Sequence, residues 1–260
     1  MLRRSSVATL VFIVLLGVLG LAAAAAGADA STGALPKEKP IQPGAPVCTV
    51  GGPLDDGSCG EYSTLNFVFK GKHGRLYIGA VAHNFAAVGD PATIRGEAHP
   101  FGRVVVDDDS IDFLHPGDPV NPNGSDFALI RINRHWYGNV QPSVRFFGGP
   151  TGYTTAADTA TGDAINAFGQ GRPDLMNPTG PRSGQLVADS QRAFSSSVPE
   201  SGGDSGMPYV HAPTGKALGV NANCFCGLGA PGLYPTVEFI LKRLKVLGVQ
   251  VKLVRSGYVP

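Results

Sequence analysis

Ser201-Gly202-Gly203-Asp204-Ser205-Gly206-Met207-Pro208 is the stretch of this sequence best suited to covalent chemistry. Glycines on both sides of a serine let the backbone turn tightly and leave N–H groups free to point at a reacting oxygen. A serine hydroxyl is a weak nucleophile. It needs a histidine to take its proton, and the histidine needs a carboxylate to hold its tautomer and orientation. Gly, Asp and Ser also form ordinary turns, so the stretch acquires chemical meaning only if such partners stand upstream. His83 closes the apolar run Leu76 to Ala82, and Asp126 opens the apolar run Phe127 to Ile132. Alone, a histidine on an apolar strand reads as a satisfied core residue, and an aspartate before a strand reads as a turn residue. Together, in the order His, Asp, Ser, they make a nucleophile, a base and an orienting acid. The other histidines, His73, His99, His115, His135 and His211, fall in stretches that read as turns or loops and are expected to be exposed.

The elements that must position these groups are mostly strands. The chain has 260 residues with 36 glycines and 21 prolines, a balance that favours a β-rich protein with many turns. Ser63 to Lys70 alternates Leu65, Phe67 and Phe69, the pattern of a half-buried strand. Leu76 to Ala82 and Phe127 to Ile132 are continuous apolar runs of strand length, and Ile94 to Val106 suggests further strands. Asp107-Asp108-Asp109 lacks the alternating spacing of a calcium loop and reads as a solvated turn. Residues 134–150 read as a crossover in which Trp136 and Tyr137 pack. Strands resume at 164–168, 185–188, 191–197 and 215–221. Only at Thr236 to Leu247 does the period change: Val237, Ile240, Leu241, Leu244 and Leu247 share a helical face, with Lys242, Arg243 and Lys245 opposite. Val249 to Val254 alternates again as a short terminal strand.

Residues 1–30 read as a secretory signal peptide. Leu2-Arg3-Arg4 is a basic start, Val7 to Ala26 an apolar run, and Ala28-Asp29-Ala30 a small-x-small cleavage site. The run is also long enough for an uncleaved anchor, and in either case the remainder is extracytoplasmic. Residues 31–57, with Pro36, Pro40, Pro43 and Pro46 and no apolar periodicity, read as an extended linker or pro-segment. Cys48, Cys59, Cys224 and Cys226 suit an oxidising compartment. They either pair locally, Cys48 with Cys59 and Cys224 with Cys226, or tie the two ends of the chain together. A zinc site is disfavoured by the Cys-x-Cys spacing and the absence of a nearby histidine. The net charge of +1 and 16 % charged residues argue against nucleic acid as a partner.

The words Ala82-His83, Asp126-Phe127-Ala128-Leu129 and Gly203-Asp204-Ser205-Gly206, in that order, resemble the chymotrypsin-like (trypsin-like) serine proteases. The pattern is most similar to secreted bacterial members of the α-lytic protease and streptogrisin type. Phe168-Gly169-Gln170-Gly171 is similar to the strand-end glycine turn of the family's second barrel, and Leu218-Gly219-Val220 to its substrate-lining strand. An α/β-hydrolase elbow would need glycine at the position of Met207 and the histidine last. The subtilisin order begins with the aspartate.

The resemblance implies an all-β fold of two packed antiparallel six-stranded barrels, 58–140 and 141–260, closed by a C-terminal helix. It implies a secreted serine endopeptidase, without cofactor or metal, acting as a monomer on extended polypeptide through an acyl-enzyme. His83, Asp126 and Ser205 would be catalytic, with the N–H groups of Gly203 and Ser205 as the oxyanion hole and Asp204 structural. Pro199, Glu200, Val220, Asn221 and Ala222 would bind substrate, the last three by pairing with it as an added strand. Pro199 offers no acidic pocket floor, which disfavours a strong preference for Arg or Lys. Met207 replaces the small residue common after the motif, a bulk expected to crowd the nucleophile turn or the cleft. That departure and the missing clear pocket floor are what support the alternative, a catalytically weak or inactive homologue serving as an extracellular binding module.

Overall fold

The computed structural model describes residues 37–48, 59, 61–108, 125–171, 178–222 and 234–259, all within one compact unit, Thr32–Pro260. The signal peptide or anchor, Asp109, His115, Asn223, Cys224 and Cys226 lie outside the described residues. Among the described residues, no helix is long and apolar enough to cross a membrane.

A short ribbon comes first, β1 (Pro46–Cys48) antiparallel to β2 (Tyr62–Thr64). Next come β3 (Val68–Gly71), β4 (Leu76–Ala80), β5 (Pro91–Ala92), β6 (Gly102–Asp108) and β7 (Phe127–Ile132). The second half holds β8 (Ala164–Gly169), β9 (Gly180–Asp189), β10 (Ala193–Ser196), β11 (Pro208–His211), β12 (Lys216–Val220) and β13 (Tyr234–Pro235). Helix α1 (Val237–Val246) and β14 (Val251–Leu253) close the chain. The two large sheets are antiparallel, each of six strands, in the orders β14-β3-β4-β7-β6-β5 and β12-β11-β8-β9-β10-β13. Among the described residues the chain is all-β with one C-terminal α-helix, as its composition and periodicity predict.

Two assignments change. The terminal strand, expected within 141–260, joins the first sheet: Val251, Lys252 and Leu253 face Gly71, Lys70 and Phe69. Helix α1 carries the chain back across, burying Val237, Ile240 and Leu244 among residues of both halves, including Phe67, Phe69, Phe127, Leu129, Val210 and Val220. Part of the expected linker is also core. Ile41, Ala45 and Val47 are fully buried against the first barrel, and Gly44 N donates to Leu65 O at 2.8 Å. Proline-rich chain lying along a barrel needs no regular periodicity to bury its apolar side chains. Their irregular spacing hides them from a pattern search.

A third expectation changes as well. Ser63 to Phe69 is buried on both faces rather than one. Leu65 and Val68 point into the first barrel, and Phe67 and Phe69 into the cluster shared with the second half. Nor is the acidic run a solvated turn at its start. Asp107 and Asp108 belong to β6, and Asp108 is buried, taking a two-pronged ion pair from Arg243 of α1 at 2.9 Å and a hydrogen bond from Ser125 Oγ at 2.6 Å. Helix α1 starts at its N-cap Thr236, whose side chain accepts from Phe239 N at 3.1 Å.

Removing the Arg243 charge while keeping its stem isolates this pair. Arg243→Met leaves the Asp108 carboxylate buried without its cation and is expected to destabilise the fold by about 2–4 kcal/mol, read as a lowered urea midpoint. An unchanged midpoint would show that α1 is held by its apolar face alone.

Candidate active site

Each of the three motifs is delivered by the end of a strand or by a loop braced from the other barrel. His83 lies in a short 3-10 turn, Ala82–Asn84, directly after β4. Asp126 immediately precedes β7, which pairs with β4 from Ala80↔Ala128 to Tyr77↔Arg131. That register sets the two side by side. Asp126 is an L-residue at φ 42°, in the left-handed region that aspartate tolerates better than most. The conformation is fixed from two sides. Ala82 N donates to the Asp126 carbonyl at 3.2 Å, and His83 N donates to its Oδ1 at 2.9 Å.

The serine loop hangs from the opposite barrel. Gly203 and Gly206 adopt φ of +92° and +88°, and a Cβ on either would collide with a backbone carbonyl, that of Gln170 or of Thr64. Any other residue at these positions would be both strained and blocked. Gly206 N donates to Asn221 O at 2.6 Å and Thr64 N donates to Ser205 O at 2.8 Å. The Thr64 hydroxyl donates to Gly203 O at 2.8 Å and accepts from Gln170 N at 3.0 Å. Thr64 thus staples the loop to the β1–β2 ribbon, which the Cys48–Cys59 disulfide also closes. Beneath the loop, fully buried Asp204 meets Arg182 of β9 and accepts from Ser201 N at 2.7 Å. Burial pushes the Asp204 carboxyl up, against the downward pull of Arg182.

The three side chains meet. His83 Nδ1 is 2.6 Å from Asp126 Oδ2, and His83 Nε2 is 3.1 Å from Ser205 Oγ. The Asp126 side chain is 1 % exposed and that of His83 26 %, so the acid is shut from water while the imidazole reaches it. Among the described residues, no acceptor is bonded to the N–H of Gly203 or Ser205. Met207, expected to crowd this turn, is fully buried with Ile165, Tyr209 and Leu218 inside the second barrel. Its bulk goes to the core because β11 begins at the next residue and faces it inward.

Scanned against protein-family models and against curated proteins, the sequence matches none. Among solved structures, the chain is similar to an inactive, serine-to-alanine form of Rv3671c from Mycobacterium tuberculosis, with 14 % identity over 78 % of this chain and 85 % of that one and a TM-score of 0.50. It is also similar to Nocardiopsis protease, with 16 % identity over 82 % and 98 % and a TM-score of 0.48. An α-lytic protease homologue shares 14 % identity over 80 % and 97 %, with a TM-score of 0.46. The chain has the chymotrypsin-like protease fold.

On that fold the residues expected to touch substrate divide. Pro199 is exposed beside the serine loop. Val220 packs into the cluster shared by the two halves and faces Pro208 of β11. Asn221 is fully buried, and its backbone is engaged by the serine loop, its N–H donating to Met207 O at 2.9 Å and its carbonyl accepting from Gly206. Ala222, two residues beyond the end of β12, is buried. Asn221 therefore holds the nucleophile loop with the groups that were expected to pair with a peptide. His211, expected on the surface, is also buried, with Nε2 3.1 Å from Asp163 Oδ2 and Nδ1 2.8 Å from Thr214 Oγ1. His73, His99 and His135 are exposed as expected. Thr64, Arg182, Ser125 and Arg243, which brace the site, carry no motif, and only their contacts reveal them.

Glu200 is the unusual group. Its carboxylate accepts from the hydroxyl of buried Tyr209, which stacks on Tyr234 with ring centroids 5.3 Å apart. Burial pushes its pKa up to about 7, against the opposing hydrogen bonds of Tyr209 and Tyr234. The native state thus holds the Glu200 proton more tightly than the unfolded chain does. The stability this supplies is complete below pH about 4.5 and is lost as the pH rises through about 7. Glu200→Gln is expected to remove that slope and so to stabilise the protein at about pH 8 relative to about pH 4, by up to about 3 kcal/mol against the parent. Parallel urea-midpoint profiles of the two proteins across this range would contradict the assignment.

Proposed function

We propose that the chain is a secreted serine endopeptidase. The observation that carries the reading is the unbroken hydrogen-bonded line from the buried Asp126 carboxylate through both nitrogens of His83 to Ser205 Oγ. In this reading Ser205 Oγ attacks the scissile carbonyl as its proton passes to His83 Nε2. Asp126 holds Nδ1 protonated and stabilises the imidazolium that results. The negative oxygen of the tetrahedral intermediate falls to the N–H groups of Gly203 and Ser205, in a loop whose glycines and Thr64 staple fix it beforehand. His83 then gives its proton to the leaving amine, and water, activated the same way, releases the acyl group from Ser205.

Pro199 and Glu200 are the side chains we assign to the pocket for the residue preceding the scissile bond, with Ala222 as its neighbouring wall. Secretion is supported by the basic-apolar N-terminal stretch and by the Cys48–Cys59 disulfide, which belongs in an oxidising compartment. The inward packing of Met207 takes away one of the two features that favoured an inert homologue, the other being the missing clear pocket floor.

Incubated with a fluorophosphonate probe, the purified secreted protein is expected to be labelled at Ser205, and Ser205→Ala to abolish labelling and to cut peptide hydrolysis on the order of 10⁶-fold. Asp126→Asn should preserve the fold and lower turnover about 10⁴-fold, because the imidazole then adopts the wrong tautomer. An unlabelled, inert protein with a native unfolding midpoint would overturn the proposal in favour of a binding module.

A further inference from the structure

Far from the serine, at the other ends of the same two strands, the first barrel gathers unneutralised cations. Strand β4 starts after Arg75 and runs towards His83, and β7 starts after Asp126 and runs to Arg131 and Ile132. Arg75, Arg131 and Arg134 surround one cavity of about 350 Å³, completed by Ile132, Asn133 and Tyr137. All three arginines are exposed, and among the described residues none has a carboxylate within ion-pair distance. This is not the by-product of a basic protein, since the whole chain carries a net charge of only +1.

The repulsion is built into the sheet. Arg131 of β7 stands directly opposite Arg103 of β6, a like-charge cross-strand pair that costs stability. Arg75 ends a turn that also contains Lys72, and Lys70, near the end of β3 before that turn, faces Lys252 of β14. The odd-numbered face of β7 explains the placement. Phe127 and Leu129 on that face are covered by the second half, whereas Arg131 is where the face emerges into water. A solvated surface would be served by lysine or by mixed charges. Three guanidiniums lining one concavity instead offer planar, multi-donor forks that match phosphate and carboxylate oxygens alike, and a multiply charged tetrahedral oxyanion has the charge and the oxygens to engage all three. Tyr137 adds a polar edge: its hydroxyl oxygen accepts from Leu76 N at 3.0 Å, which leaves its own proton for a ligand oxygen.

We propose that the cavity between Arg75, Arg131 and Arg134 is a binding site for a phosphate or sulfate group, separate from the serine site and carried on the opposite end of β4 and β7. An anion there neutralises the charge that the cross-strand pairing leaves uncompensated and ties the β3–β4 turn to the 3-10 segment Arg134–Asn139. The inference does not depend on the chain being a peptidase.

Calorimetric titration of the secreted protein with inorganic pyrophosphate tests it. At fixed physiological ionic strength, saturable binding is expected with a Kd below about 1 mM, weakened at least about tenfold in the Arg75→Gln/Arg131→Gln/Arg134→Gln variant. The single Arg131→Gln variant should weaken binding several-fold and guards against misfolding of the triple one, with the urea midpoint without anion as the fold control. Phosphatidylglycerol vesicles distinguish the source of the group. Sedimentation with vesicles that pyrophosphate reverses assigns it to a lipid headgroup, and pyrophosphate binding without sedimentation assigns it to a soluble ligand; both support the site. Absence of saturable binding to pyrophosphate, phosphate and sulfate, or binding unchanged in a folded triple variant, overturns it.

Discussion

The buried carboxylate of Asp126 is the constraint around which the candidate site is arranged. An ionised group taken from water must be met by donors or it will not stay ionised. Here its oxygens are met by the backbone N–H and the ring of His83, and its own carbonyl by Ala82. The same contacts that make the charge tolerable fix the rotamer and tautomer of the imidazole. They also hold the residue at a left-handed φ, so backbone strain and side-chain orientation are settled together. Next to it, Ser125 leads to Asp108 and so to Arg243, which links the acid's loop to the C-terminal helix.

The serine loop obeys a different logic. It needs a backbone shape that few residues can take, and it is held by groups that come from elsewhere. Thr64 reaches it from the ribbon near the N-terminus, Asn221 from just after β12, and Arg182 from β9 through Asp204. These segments are far apart in sequence, so the loop's geometry is only as good as the packing between the two halves. That packing is the apolar cluster in which Phe67, Phe69, Phe127 and Leu129 meet Phe168, Val210, Val220 and the buried face of α1. Burial of large apolar side chains, each worth roughly 1.5–3 kcal/mol before entropy, keeps the histidine and serine within hydrogen-bond reach.

The cationic end of the first barrel shows how one sheet serves two purposes. Strands β4 and β7 present His83 and Asp126 at one end and Arg75 and Arg131 at the other. The alternation of side chains along β7 decides which positions are covered by the second half and which emerge from under it. A residue type that would be costly at position 129 is free to carry charge at 131.

Much of this was legible in the sequence. The glycines around Ser205, the order of His83, Asp126 and Ser205, the abundance of short apolar runs and the helical period after Thr236 are local patterns. Local backbone geometry and periodicity are what single residues and their near neighbours dictate. The sequence thus determined an all-β chain with one terminal helix and the three side chains that converge. Only the tertiary structure decided the rest, because it depends on what lies across from each residue. It put Val251–Leu253 in the first sheet, drew Ile41 to Val47 into the core, turned Met207 inward and Asn221 onto the serine loop, and gave Asp108 a cation instead of water. Partners such as Thr64 and Arg243 carry no mark in the chain. Their roles arise from long-range register, which apolar packing between the two halves fixes and which no short stretch of sequence contains.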